Sequence, residues 1–207
     1  MSPSRPQPQK PTRERILDAA HELMRTLGLS RATTKEIARL AGCSEAALYK
    51  HFAGKEDLFV AVLSERLPRL TPLLHRLVLD PGGRTVEQNL TEIARQATLF
   101  YAESFPIAAS LYAEAKLKSR HDAAMRELGT GPHMPIEGLD SYLRAEQSAG
   151  RIAATADTFA AASLLMGACA QRAFAYDPAG TVGAPPPQDV DDFAAALAAT
   201  LLAGISG

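Results

Sequence analysis

The chain has 207 residues, 46% hydrophobic and 22% charged, with a net charge of −1, a globular composition in a length that buries about 70% of its unfolded surface unaided. Its two cysteines, Cys43 and Cys169, match no zinc or Cys-x-x-Cys spacing and point to a reducing compartment, and no metal or cofactor is expected. The Pro-, Gln- and Arg-rich start has no apolar run, so a signal peptide is not expected, and the longest mostly apolar run, 159–170, falls short of the ~18–20 residues of a membrane span, so an integral membrane protein and a secreted disulfide scaffold are excluded.

Thirty-eight alanines and 26 leucines stand against six valines and seven isoleucines. Ala and Leu head the helix scale while strands favour β-branched residues, so the predicted fold is all-α. Charge is uneven: residues 1–60 hold ten Lys/Arg and seven Asp/Glu, a surplus of three positive charges, and 61–207 hold twelve and sixteen, a surplus of four negative. Such a split suits a nucleic-acid-facing end and a body with another task.

In chain order, residues 1–11 carry four prolines and read as a disordered arm. Thr12 is the expected N-cap of a first helix, with Ile16, Ala19, Ala20, Leu23 and Leu27 on its apolar face and Gly28 as its stop. Thr33 or Thr34 caps a short second helix that Gly42 ends; Ser44 caps a third, Glu45 to Phe52; a fourth starts near Lys55. Longer helices follow: 67–79, one from Thr85 through Phe100 and Tyr101, another over 105–116 with Pro106 in its first turn, 121–128 and 136–149. Asp157 caps a helix to Tyr176, residues 177–188 form a Pro/Gly-rich loop, and Asp189 caps the last helix.

The second and third helices, joined by a tight turn, describe a helix-turn-helix. Ala38 sits where the helices cross, Gly42 takes the positive φ of the turn, and Leu48 is the apolar plug. Ala46 and Ala47 permit close approach to a major-groove floor. Thr34, Ser44, Tyr49 and Lys55 offer hydroxyls and a charge suited to phosphate oxygens, and Thr33 and Lys35 stand beside them. Glu45 is either a reader of a cytosine amino group or a helix-start residue favoured by the dipole.

The segment from Thr33 to Leu58, with Thr33-Thr34, Ile37-Ala38, Ala41-Gly42, Ser44, Leu48-Tyr49, His51-Phe52 and Lys55, resembles the DNA-binding segment of TetR/AcrR-family transcriptional regulators over about residues 12–60. The resemblance implies a DNA-binding domain at 12–60 and a larger helical ligand-binding and dimerisation domain at 61–207. It places Tyr49 and Lys55 on the DNA backbone and Lys50 and His51 near bases or phosphate. A homodimer on a near-palindromic operator, released by a small, largely apolar effector, and a bacterial, cytoplasmic, nucleoid-associated protein are further implications.

Within the body, Phe100, Tyr101, Tyr112, Met134, Tyr142, Met166 and Cys169 are candidate pocket residues, although aromatic and Met clusters on helices are more often core. Leu164, Val190, Phe193, Ala194, Leu197 and Leu201 are candidate dimer contacts, lying on helices able to form a four-helix bundle with a second copy. No nucleophile elbow, P-loop, HExxH or dinucleotide fingerprint is present, so an enzyme is not expected. The rival reading is a DNA-associated structural or protein-binding factor that takes no small effector.

Overall fold

The computed structural model describes residues 10–67, 70–113, 115–127, 129–176 and 185–205, and every regular element among them is helical. The helices are α1 (Thr12–Arg31), α2 (Thr34–Leu40), α3 (Glu45–Tyr49), α4 (Lys55–Glu65), α5 (Leu70–Leu79), α6 (Val86–Ala113), α7 (Ala115–Glu127), α8 (Met134–Ser148), α9 (Thr158–Ala175) and α10 (Val190–Ile205). The chain divides into two compact units, Met1–Arg66 with Pro106–Ala124, and Leu67–Phe105 with Met125–Gly207.

In the N-terminal unit α1 packs on α2 and α4, and α2 on α3. Ile16, Leu17, Ala20 and Met24 of α1, Ile37 and Ala38 of α2, Leu48 of α3, and Leu58, Phe59 and Val62 of α4 are all buried. Ion pairs tie α1 to the end of α4: Arg66 Nε bonds Asp18 Oδ1 at 2.8 Å and a second guanidinium nitrogen reaches Glu14, while Arg13 bonds Glu65. Arg13 and Arg66 stay firmly protonated, and Asp18 and Glu65 are held below the usual carboxylate range by the cations beside them, Asp18 by Lys10 and Arg66 and Glu65 by Arg13.

The body unit stacks α8 against α5 and α9, with α10 on α9. One apolar cluster runs through it from Leu70, Leu74 and Leu77 through Leu90, Ile93 and Ala97 to Leu139, Tyr142, Leu165, Met166, Cys169 and Ala198. Asp157 caps α9 by accepting from the Ala160 amide at 2.9 Å, Asp189 does the same for the Asp192 amide at 2.8 Å, and Thr85 accepts from the Gln88 amide at 3.2 Å.

Several boundaries differ from the sequence reading. Pro11, not Thr12, precedes the first helical residue and supplies no side-chain cap. Gly28 breaks the first helix at φ 77°, and Leu29 beyond it takes an interior place, which leaves Leu27 in the preceding turn 42% exposed. The third helix ends at Tyr49 rather than Phe52. The helices expected on either side of residue 105 are one, α6, with Pro106 inside it; the ring removes one backbone donor there, and the division between the two units falls at the same residue. Of the arm expected over 1–11, residues 1–9 lie outside the described residues, as do residues 177–184 of the expected 177–188 loop.

Candidate nucleic-acid interface

The helix-turn-helix is built by local hydrogen bonds. Thr33 caps α2 in a reciprocal box: its hydroxyl accepts from the Glu36 amide at 3.2 Å, and the Glu36 carboxylate accepts from the Thr33 backbone amide at 3.4 Å and also from the Thr33 hydroxyl at 2.9 Å. The turn closes as the Gly42 amide donates to the Arg39 carbonyl and the Cys43 amide to the Ala38 carbonyl. Gly42 stands at φ +65°, where an L side chain is strained, and a Cβ there would also meet Arg15 Nη1 at 3.2 Å. Ser44 then caps α3 by accepting from the Ala47 amide at 3.1 Å.

Leu48 is the one buried residue of α3, and Glu45, Ala46 and Tyr49 of the same helix are exposed. Ser44, Glu45, Ala46, Tyr49, Lys50 and His51 are exposed, as are Thr33 and Lys35, while Thr34, Ala47 and Lys55 are half-buried. All eleven expected DNA-contacting residues thus lie within the α2–α3 segment and the start of α4. Exposed Arg39 adds a charge that the sequence reading leaves out; its place four residues after Lys35 puts both on one face of α2, the spacing signal that identifies it.

Four of these side chains, Thr34, Glu45, Tyr49 and Lys55, make hydrogen bonds within the unit. Thr34 Oγ1 lies 2.6 Å from Glu45 Oε1 and 3.3 Å from the Tyr49 hydroxyl. Lys55 Nζ donates to the Ser30 carbonyl at 3.1 Å, tying α4 back to the end of α1.

The body residues divide. Tyr142, Met166 and Cys169 belong to the apolar cluster, and Phe100 and Tyr101 pack against it. The Tyr142 hydroxyl accepts from Asn89 Nδ2 at 3.1 Å, and Cys169 Sγ donates to the Ala94 carbonyl at 3.4 Å. Burial pushes the Tyr101 and Tyr142 hydroxyls up to about 12 and the Cys169 thiol up to about 11. Met134 is half-buried at the start of α8. Tyr112 is not brought to this cluster: it is 76% exposed, in the segment Pro106–Ala124 that clusters with the N-terminal unit. His121 of that segment is buried edge-on to Phe59 at 4.8 Å, and burial lowers its pKa.

The expected dimer stripe also divides. Ala194 and Leu201 face this chain's own core and are unavailable to a partner, because α10 uses that side of its stripe against the body cluster. Val190, Phe193 and Leu197 are half-buried, and Phe193 lies under the Arg172 guanidinium at 4.6 Å. Leu164 is 67% exposed on α9, which also exposes Phe159 and Phe174. Among the described residues no helix is long and apolar enough to cross a membrane, and no group of three or more His, Cys, Asp or Glu is placed to hold a metal.

Residues 16–62 match the family described as "Bacterial regulatory proteins, tetR family". The HTH-type transcriptional regulator SrpR of Pseudomonas putida is 49% identical over 55 residues, 27% of this chain and 26% of that protein. The nucleoid occlusion factor SlmA of Vibrio vulnificus is 38% identical over 95 residues, 45% of this chain and 47% of that one. The chain thus matches less than half the length of either relative. Among solved structures, SmeT, the repressor of the Stenotrophomonas maltophilia multidrug efflux pump SmeDEF, superposes with a TM-score of 0.66 at 20% identity, over 96% of this chain and 92% of its own; it has also been solved with triclosan. That likeness extends the shared fold through the body unit.

Proposed function

The chain belongs to the TetR/AcrR family of regulators, and from that premise we propose that it is a cytoplasmic transcriptional repressor. It binds a near-palindromic operator as a homodimer and leaves it when a small, largely apolar effector occupies the body. The observation that carries the DNA-binding reading is α3 itself, with Leu48 as its one buried residue and Ser44, Glu45, Ala46, Tyr49 and Lys50 exposed to solvent beside Lys35 of α2. A helix held this way has its outer face free for a major groove, and a second copy related by a two-fold axis reads the matching half-site. The effector reading draws support from the aromatic residues Phe100 and Tyr101 at the edge of the body cluster and from the triclosan complex of SmeT.

The test is selection of duplexes from a random library by the full chain, followed by titration of the selected site against salt. A selected site should bind at least a thousandfold tighter than random duplex, with a salt slope set by the number of phosphates neutralised. Effector candidates are then screened for reciprocity: affinity for the compound must fall in the presence of operator by the factor by which operator affinity falls with the compound. Failure to select any duplex overturns the reading.

The longer match to SlmA, 95 residues against 55 for SrpR, favours one alternative, a DNA-associated factor without a small effector. A chain that selects a site and binds it without response to any apolar compound fits that alternative.

A further inference from the structure

Resting on the DNA-binding reading above, we propose that Glu45 is the specificity-determining residue of α3, aimed at a cytosine amino group by Thr34 and Tyr49 acting as positioning residues. The geometry assigns the protons. Thr34 Oγ1 is 2.6 Å from Glu45 Oε1, and a carboxylate has no proton to give, so the single Thr34 hydroxyl proton lies on that bond. Tyr49, 3.3 Å from the same Thr34 oxygen, is then the donor of the second contact. The hydrogen bonds run in one direction, Tyr49 to Thr34 to Glu45, joining α3 to the first residue of α2 and restraining a side chain that is otherwise exposed.

Two consequences follow. Glu45 retains a second carboxylate oxygen, to which no donor is bonded among the described residues, on a helix whose next two side chains are the methyl groups of Ala46 and Ala47. A pure acceptor in the major groove finds a matching donor in cytosine N4; adenine offers N6 beside the repelling N7, guanine offers two acceptors, and thymine one acceptor and a methyl. A C·G pair is therefore the favoured partner. Thr34, in turn, cannot donate to a phosphate while its proton is on Glu45, so its part in DNA binding is to hold the reader rather than to grip the backbone.

The experiment compares wild type, Glu45→Ala, Glu45→Gln and Thr34→Val as full chains, by duplex selection and by salt titration on the selected site and its single-pair variants. Wild type should favour C·G about tenfold at one position of each half-site. Glu45→Ala should flatten the preference at that position and tighten binding to random duplex, since a carboxylate facing phosphates has been removed. Glu45→Gln, with both a donor and an acceptor, should move the preference toward adenine. Thr34→Val should weaken the preference at the same position and leave the salt slope unchanged. Unchanged base preference in Glu45→Ala overturns the inference alone. So does a Thr34→Val chain whose salt slope falls by about one with base preference intact, because that is the signature of a lost phosphate contact. A wild-type chain that selects no duplex overturns the DNA-binding reading and this inference with it.

Discussion

In α3, Glu45, Ala46, Tyr49 and Lys50 stand exposed about a single buried residue, Leu48, whereas in the first turns of α6 Leu90, Ile93, Ala94 and Ala97 have no exposed surface at all. The recognition surface is thus held by one plug, two caps and a glycine turn, and its outward side chains add only a few solvent-exposed hydrogen bonds, those of Tyr49, Thr34 and Glu45 among them. The body has the reverse arrangement: its side chains interlock in one continuous cluster, and the buried Asn89 amide donates to the Tyr142 hydroxyl within the unit. Affinity for DNA and stability of the fold should accordingly be separable by substitution, and the comparison can be tested at both ends.

The largest expected effect is on assembly. Leu164 is 67% exposed in the protomer, so Leu164→Asp should leave the fold intact. At an interface between two copies it would bury two unpaired carboxylates, at a cost of several kcal/mol. Sedimentation at micromolar concentration should change from dimer to monomer; an unchanged dimer would place the interface elsewhere.

Next is the body core. Leu90→Ala removes a side chain with 0% exposure and should lower stability by about 3 kcal/mol in urea unfolding. The N-terminal surface supplies the converse. Ala46→Glu sets a second carboxylate beside Glu45 on the exposed side of α3 and should weaken binding to a selected duplex by about a hundredfold, or ~2.7 kcal/mol. Its melting temperature should match wild type, and a large drop would mean that Ala46 is part of the packing.

A smaller effect belongs to the ion pairs between α1 and α4. Arg66→Ala should cost about 1 kcal/mol at pH 7, a modest figure because Asp18 and Glu14 are each 40% exposed and solvent screens them. Lys10 first, and Arg66 after it, hold Asp18 below its ordinary pKa, so the part of that stabilisation owed to Arg66 is present above about pH 4 and fades as pH falls through the lowered value. The gap between wild type and Arg66→Ala should therefore close on acidification rather than on raising the pH. The smallest signal is chemical. With the Cys169 thiol pushed up to about 11, roughly one in a thousand is thiolate at pH 8, so iodoacetamide should label half-buried Cys43 first and Cys169 only after unfolding. Equal labelling of the native protein would show that the body core opens readily.

The caps at Thr33, Ser44, Thr85, Asp157 and Asp189, the turn at Gly42 and the plug at Leu48 were all determined by the sequence itself. The caps and the turn depend on atoms no more than about five residues apart, where residue type and spacing specify the partner, and Leu48 is marked by its apolar character in a short polar helix. The same locality made the set of outward residues on α3 readable. Tertiary structure decided the rest. Whether Pro106 starts a helix or lies within one depends on what packs around it, and proline is compatible with a first turn as well as with a break in the ladder. Apolar periodicity marked the stripe on α10 but not which of its residues would meet this chain's own core, so Ala194 and Leu201 turned inward while Leu164 on α9 stayed out. The bond from Thr34 to Glu45 spans eleven positions and two helices. No propensity or period encodes it; it exists because the packing of α2 on α3 brings the two side chains to one edge.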